Sequence, residues 1–569
     1  MICTRDLALL AGLVLAAPGL AACDGSVEDP SGTGAAAPTQ PAQQRADIAA
    51  MHGERALLAG DLALARAWLE PGEFSAETRA EGFRSLGRLE MAQGNLPAAG
   101  AAFDQSYRAD PANAGLWVDI GRLRYAGGEQ AQALEAVDRA LAIDPAHAEA
   151  LRFRGQLARD ARGLATGAER FARALELHPQ NRELRLDLAA TLSDAGRAQD
   201  ALAVLRGGDG TAAAAPRGLF VQAVIAARGG DVALARDLLE RSGLAKDGVA
   251  SAQLLSALID LQQENYAIAA VTLDRLYSRQ PDNRRIRDLL AFALSRSAGE
   301  RELVRRFAGI VADDPASAYL RTLVGRAYEA LGDRARAARF LDQPAIASGQ
   351  LTALPSLSPV RIAPTSQATG ALQLRDQVRH AIVAGDGEAA VTRAAELARR
   401  FPGSADAQAV LGDASFAVGD KPAASAAYGR AARIRLGWPL ALRLARAQDD
   451  VPRAQRMLAD YVRQNPMNGE AAAALADSYA AQGDWPRAVG LLDHALDLGM
   501  GRVPWVLAAR SVGARQLGDA DEAMSYALAA HELEPMNPLA ISALLAAMPD
   551  DGSAARAELE AKLRSLQSR

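Results

Sequence analysis

Six histidines, at positions 52, 147, 178, 380, 494 and 531, and two cysteines, Cys3 and Cys23, are the side chains best suited by type to ligate a metal or act as nucleophiles. Their spacing supports neither use. No two histidines stand three or four residues apart, the separation that puts two ligands on one helical face. Both thiols fall within the first twenty-three residues, so the rest of the chain has no disulfide and no thiolate metal site. Asp519, Asp521 and Glu522 lack the remaining ligands of a calcium loop and read as helix-capping charges. There is no GxxxxGK[ST] loop, HExxH, GxSxG or CxxC. Gly207-Gly208-Asp209-Gly210 follows a helical stretch rather than a strand, which makes it a widened turn. No enzyme, metal or cofactor is expected. What remains is guanidinium chemistry, because only Lys246, Lys421 and Lys562 among 63 Lys and Arg residues are lysine. Arginine's planar fork pairs bidentately with carboxylate or phosphate, although an Arg-rich proteome would account for the bias equally simply. A net charge of −5 over 569 residues points to neither a nucleic-acid binder nor an acidic tail.

The elements that would carry these arginines are set by a period. Gly53, Gly87, Gly121, Gly155, Ala189, Ala223, Ala257, Ala291 and Gly325 recur every thirty-four residues. Twelve residues later run Ala65, Ala99, Ala133, Gly167, Ala201, Ala235, Ala269 and Ala337, interrupted only by Leu303. Two locked series at one spacing signal a solenoid of repeated supersecondary units. Within 114–147, Trp117, Gly121 and Tyr125 lie on a first helical stretch that ends at Gly127-Gly128. Gln130 to Ile143 then carries Ala133, Leu134, Val137, Ala140 and Leu141 on one stripe, and Pro145 stops it at Asp144. Gly-Asp or Gly-Asn pairs at 60, 94, 230, 332, 385, 419, 483 and 518 supply a left-handed C-cap followed by an N-cap. Pro97, Pro422 and Pro486 sit in the first turn of a second helix, where a missing N–H costs nothing. The small residues let the two antiparallel helices of each unit approach closely. The expected fold is all-α, a superhelical solenoid of antiparallel helix pairs in two arrays.

Trp117, Gly121, Ala133, Ala140 and Pro145 stand at offsets that resemble the tetratricopeptide repeat (TPR) family. Gly325, Tyr328, Gly332 and Ala337 do the same, as do Gly412, Gly419, Ala424, Tyr428 and Ala431. The resemblance covers nearly all of the chain from about Ala46. It departs at Arg162, which replaces a turn glycine, and at Leu303, so irregular packing is expected in the units at 148–181 and 284–317. In this family positions two, five, nine and twelve of each first helix line a concave groove. Carried over, those positions hold Glu81, Arg84, Arg88 and Met91, then Val118, Arg122 and Tyr125, then Glu149, Arg152, Gln156 and Arg159. The resemblance thus makes Arg84, Arg88, Arg122, Tyr125, Arg152 and Arg159 binding candidates, with five arginines facing one groove and recognising an anionic partner. The asparagines of the family's carboxylate clamp are absent. Solvated helix faces are the simpler reading of the same residues. In the second array the corresponding set, Asp406, Asp413, Phe416, Glu470 and Asp477, is more acidic.

The ends and the middle read differently. Arg5, the apolar run Leu7 to Ala17 and Pro18-Gly19 form a secretory signal too short to span a bilayer. Leu20-Ala21-Ala22-Cys23 resembles a bacterial lipobox, with Cys23 the lipidation site, and an ordinary cleavage near the same alanines is the other possibility. Residues 1–22 are then a signal peptide and 23–45 a flexible tether. Repeats fill 46–342, about nine of them. Proline, glycine and serine make 343–370 a linker. About five to six repeats follow over 371–569, with Gly419 to Asp449 four residues short and a polar capping helix at the end. Together these imply a lipid-anchored scaffold in the bacterial cell envelope, facing the periplasm, with inner or outer membrane left open. Its partners are expected to be envelope proteins, with no nucleic acid, in a process such as polysaccharide export. The alternative is a groove that binds an anionic polymer or peptide directly, as carrier or sensor.

Overall fold

A computed structural model describes residues 42–281, 283–313, 318–342, 370–550 and 552–567. The signal peptide, Cys23 and most of the tether lie outside these residues, as does the linker over 343–369. Every regular element among the described residues is a helix. Nine antiparallel pairs run from Ala42–Leu58 with Leu62–Leu69 to Ala318–Ala330 with Arg334–Leu341, and six more from Ala371–Val383 with Gly387–Arg400 to Pro538–Ala547 with Ala554–Gln567. The first helix starts at Ala42, a turn inside the expected tether. A short extra helix, Thr211–Ala214, fills the wide connection after Gly207-Gly208.

The turn chemistry follows the sequence closely. Asp61, Asp231, Asp333, Asp386, Asp420, Asp484 and Asp519 each N-cap a second helix, the carboxylate accepting from a backbone N–H three residues on. Gly60, Gly94, Gly128, Gly196, Gly230 and Gly332 all have φ between +77° and +82°. The backbone demands this left-handed turn whatever residue fills it. At the in-phase positions 264 and 298 the chain carries Glu264 and Ala298 instead, held at φ +63° and +55°. A side chain costs about 1 kcal/mol or more there. Ala298→Gly should therefore stabilise the protein by about 1 kcal/mol, read as a higher urea midpoint. A lower midpoint would mean that the turn is not left-handed.

The two departures from the pattern differ in outcome: the pair at 148–181 packs closely, whereas Arg284–Arg296 and Glu300–Asp313 touch less than any other pair among the described residues, as the break in the series implies. At Arg162 the helix Ala148–Arg162 continues one residue further, and Gly163, at φ +112°, both ends it and begins Leu164–Leu177. Leu303 is fully buried where other units place alanine. The unit that is four residues short has lost one helical turn, leaving Trp438–Arg446 as its first helix.

The small-residue series has a partner sixteen residues on. A Cβ on Gly53, Gly87, Gly155, Gly325 or Gly412 would lie 2.3 to 2.6 Å from Leu69, Phe103, Phe171, Leu341 or Tyr428 respectively. Those five units are thus each locked by one large side chain seated on one glycine. The same offset holds buried Leu205, Leu239, Leu273 and Phe307 in the units whose small residue is Ala189, Ala223, Ala257 or Ala291, whereas a Cβ on Gly121 would meet Phe153 of the next unit at 3.0 Å.

The arrays also touch each other. The backbone N–H of Ala131 donates to Gly403 and that of Leu436 to Asp160, at 3.1 and 3.2 Å. Gln130 accepts from the Ala405 N–H at 3.1 Å, and Gln464 accepts from both the N–H and hydroxyl of Thr166. Farther along, Arg285 pairs with Glu470 at 2.6 Å, Arg502 lies 4.0 Å over Phe292, and Arg326 donates to the Glu532 carbonyl. The connections between units of the second array therefore run beside the first, from its third helix pair to its ninth.

Candidate binding groove

Arg84 and Arg88 project from the helix Arg79–Ala92, and Arg122 from Ala114–Ala126. The stack brings these three arginines together. They converge on Asp119, whose side chain is only 2% exposed: Arg84 donates from Nε at 2.7 Å, Arg122 from Nη1 at 3.2 Å, and Arg88 Nε stands at 3.4 Å. Glu149, from the next unit, lies 3.7 to 3.9 Å from the same three guanidiniums, beyond hydrogen-bond reach. Burial alone would raise the Glu149 carboxyl, but Arg122, Arg88 and Arg84 outweigh it and hold it below its ordinary range. Gly115 makes the arrangement possible, since a Cβ there would meet the Arg84 guanidinium at 2.6 Å.

The pattern repeats two units on. Arg152 donates to Asp187 at 2.6 Å and stands 3.5 Å from Glu183. Arg217 closes the far side, 2.9 Å from Glu183 and 2.6 Å from Asp187. Gln156 also donates to Asp187. Burial works against ionising Asp187, yet the hydrogen bond and charge of Arg152, with those of Arg217, keep its carboxyl low. Arg84–Asp119 and Arg152–Asp187 are the same contact at a separation of 35, one residue more than the period. That offset was the available signal for Asp119 and Asp187, which the groove positions taken from the family missed.

The charge reading is corrected accordingly. Arg84, Arg88 and Arg122 face Asp119, Glu149, Glu54 and Glu81, three cations against four anions. Arg152 and Arg217 face Glu183 and Asp187, two against two. The arginines do not form a field of like charge held open for an anion; carboxylates of neighbouring units already neutralise them. Reversing Arg88 and Arg122 to Glu would set new carboxylates beside Asp119 and Glu149, so that change perturbs the stack as well as the groove. Arg159 is buried, paired with Asp160 and packed under Gly167, and so does not share the groove with the other four. Tyr125 donates its hydroxyl to Asp160, and burial together with that carboxylate pushes the phenol well above its usual range. Tyr125 and Arg159 thus support the residue whose carbonyl receives the second array at Leu436.

Two acidic positions of the second array are engaged as well, while Asp406 is exposed. Asp413 is buried, accepting from the Tyr428 hydroxyl at 2.8 Å with Arg443 at 3.2 Å, and burial pushes its carboxyl up to about 6. Glu470 is spent on Arg285 of the first array. Among the described residues no group of three or more His, Cys, Asp or Glu is arranged to hold a metal. None of the described helices is long and apolar enough to cross a membrane.

Models of the tetratricopeptide repeat match residues 90–157, and again 375–438 and 440–502. The chain carries tetratricopeptide repeats in both arrays. No curated protein matches it. Solved structures similar to this TPR chain include a tetratricopeptide repeat protein of Parabacteroides merdae, 20% identical, with 44% of this chain covering 99% of that one at a TM-score of 0.34. Cut9–Hcn1 of the APC/C is 14% identical over 89% of this chain and 96% of that one, with a TM-score of 0.33. Pseudomonas aeruginosa pilF is 16% identical over 38% and 99%, with a TM-score of 0.28. TPR arrays are scaffolds for protein–protein interaction, and the repeat surface carries no recognisable catalytic constellation among the described residues.

Proposed function

We propose that this repeat protein is a membrane-tethered scaffold of the bacterial cell envelope, anchored through acylated Cys23 and assembling envelope proteins on its periplasmic side. The observation that carries the scaffold part is the stack itself: fifteen described helix pairs give a long continuous surface. A charge-balanced inner face favours a protein surface of mixed charge over a uniformly anionic polymer, which would meet Asp119, Glu149 and Asp187 as well as the arginines. Assembly of a polysaccharide export machine is a process in which such a tethered scaffold would serve. Support for the tether comes from the sequence, where Leu20-Ala21-Ala22-Cys23 follows an eleven-residue apolar run.

The test is Cys23→Ala. Acyl chains bind a bilayer at roughly 0.8 kcal/mol per buried CH₂, so two or three chains supply the whole anchor. The variant should move from the membrane to the soluble fraction and lose labelled palmitate. Retention in the membrane with no label on the wild type would reject the acylated anchor.

A further inference from the structure

On the outer side of the first array, a cavity of about 350 Å³ opens between the helices Val232–Ser242, Ala250–Gln262 and Tyr266–Arg279. Three cations reach it, and they are not equivalent. Arg236 is held by Asp260 at 2.7 Å and Gln263 at 2.6 Å. The Lys246 and Arg275 side chains are exposed and, among the described residues, make no hydrogen bond or ion pair. One carboxylate, Glu240, shares the rim.

The floor supplies a second, independent observation. Gln253 is 6% exposed, and its amide nitrogen donates to the Ala245 carbonyl at 3.4 Å. That bond fixes the amide orientation, because the flipped form would set two oxygens against each other. The Gln253 Oε1 is then buried, belongs to a residue that lines the cavity, and lacks any donor. A buried acceptor left unsatisfied is costly, so this atom calls for an N–H or O–H from whatever enters. Beside it, Ile268 and Val271 are 58% and 63% exposed on the helix that carries Thr272 and Arg275. Positions 268, 272 and 275 lie on one stripe at intervals of four and three.

The required occupant must combine three things: a donor for Gln253, an anion for Lys246 and Arg275, and an apolar group for Ile268 and Val271. A free carboxylate offers acceptors only and leaves Gln253 unmet, and inorganic phosphate has no apolar group to cover Ile268 and Val271. A metal cation would meet two ammonium or guanidinium groups. An extended polypeptide with an acidic side chain next to an apolar one supplies all three. We infer that this cavity is a docking site for an acidic peptide segment of a partner protein. A main-chain N–H of that segment satisfies Gln253 Oε1, its carboxylate is taken by Lys246 and Arg275, and its apolar neighbour covers Ile268 and Val271. The inference rests on the scaffold reading only in taking protein as the occupant; it is independent of Cys23.

Fluorescence anisotropy on the purified full-length protein tests it, with a labelled, end-blocked hexapeptide alternating Leu and Glu as probe. Saturable binding is expected, and the Leu/Gln counterpart should bind about tenfold more weakly. Lys246→Glu with Arg275→Glu changes two exposed side chains and should also weaken binding about tenfold. Gln253→Leu should weaken it about fivefold, with circular dichroism checking the fold. If that variant unfolds, the charge reversal still decides. Equal binding by the charge-reversed protein, or no binding by the wild type at millimolar peptide, overturns the site. Complete displacement of the peptide by low-millimolar inorganic phosphate, with Gln253→Leu indistinguishable from wild type, would reduce it to a general anion site and reject the peptide.

Discussion

Asp119→Ala should cost the first array about 3 kcal/mol, read as a fall in the urea midpoint of far-UV circular dichroism. The reason is geometric. One carboxylate, 2% exposed, is shared by three guanidiniums from two successive units, and the side chains of Arg84, Arg88 and Arg122 are themselves only 14%, 22% and 30% exposed. Removing it leaves those cations with Glu149 and Glu54, neither within hydrogen-bond reach, and with Glu81, which only Arg84 meets, at 3.4 Å. Asp119→Asn keeps an acceptor and should recover part of the loss. A change below about 1 kcal/mol for the alanine variant would place the cluster among solvent-screened surface pairs, whose contribution is of that size.

Gly87→Leu should be at least as damaging, about 3 kcal/mol. A Cβ at position 87 falls 2.3 Å from the Phe103 ring, so even the first added carbon needs the two helices to part. Gly121→Leu is a gentler version, because the nearest atom there, on Phe153, is 3.0 Å away, and about 1–3 kcal/mol is expected. Coupling identifies the mechanism. Phe103→Ala alone opens a cavity in the core, but combined with Gly87→Leu it makes room for the new side chain. The double variant should therefore be clearly more stable than the sum of the two single losses. Additive losses would mean that Gly87 matters for backbone freedom rather than for the seat it provides.

The helix pairs were legible because they are written in local, repeated chemistry: an N-capping Asp, a left-handed turn, a proline stop and a small residue at fixed phase. The turn at 264 shows the limit of reading glycine as the marker, since the left-handed backbone is present there with Glu264 in place. The seats formed by Leu69, Phe103 and Phe171 were equally periodic but hidden in ordinary apolar stripes, where nothing marks one leucine as the key. The groove was legible in part. Position counting placed Arg84, Arg88 and Arg122 near one another, but the carboxylates that Arg84 and Arg152 meet come from the following units at period-plus-one spacing. Contacts such as Gln464 with Thr166, across 298 residues, leave no local trace at all. The cavity at Gln253 was also invisible, because its chemistry depends on which atom of one amide remains unpaired.

The contacts that bind the second array along the first change how the molecule responds to force. A lone solenoid behaves as a spring: each interface yields a slight rotation, the rotations add, and the pitch stretches cheaply. Here a second stack is fastened near the third helix pair by Gln130 and Ala131, and near the ninth by Arg326. It spans the coil as a strut spans an arch. Stretching the first array would require breaking those fastenings together, so the soft lengthwise mode is stiffened over the braced segment, while the pairs before it stay as compliant as an ordinary repeat array. A partner gripping the braced part meets a frame of set pitch, and one gripping the N-terminal pairs meets a surface that can still bend toward it.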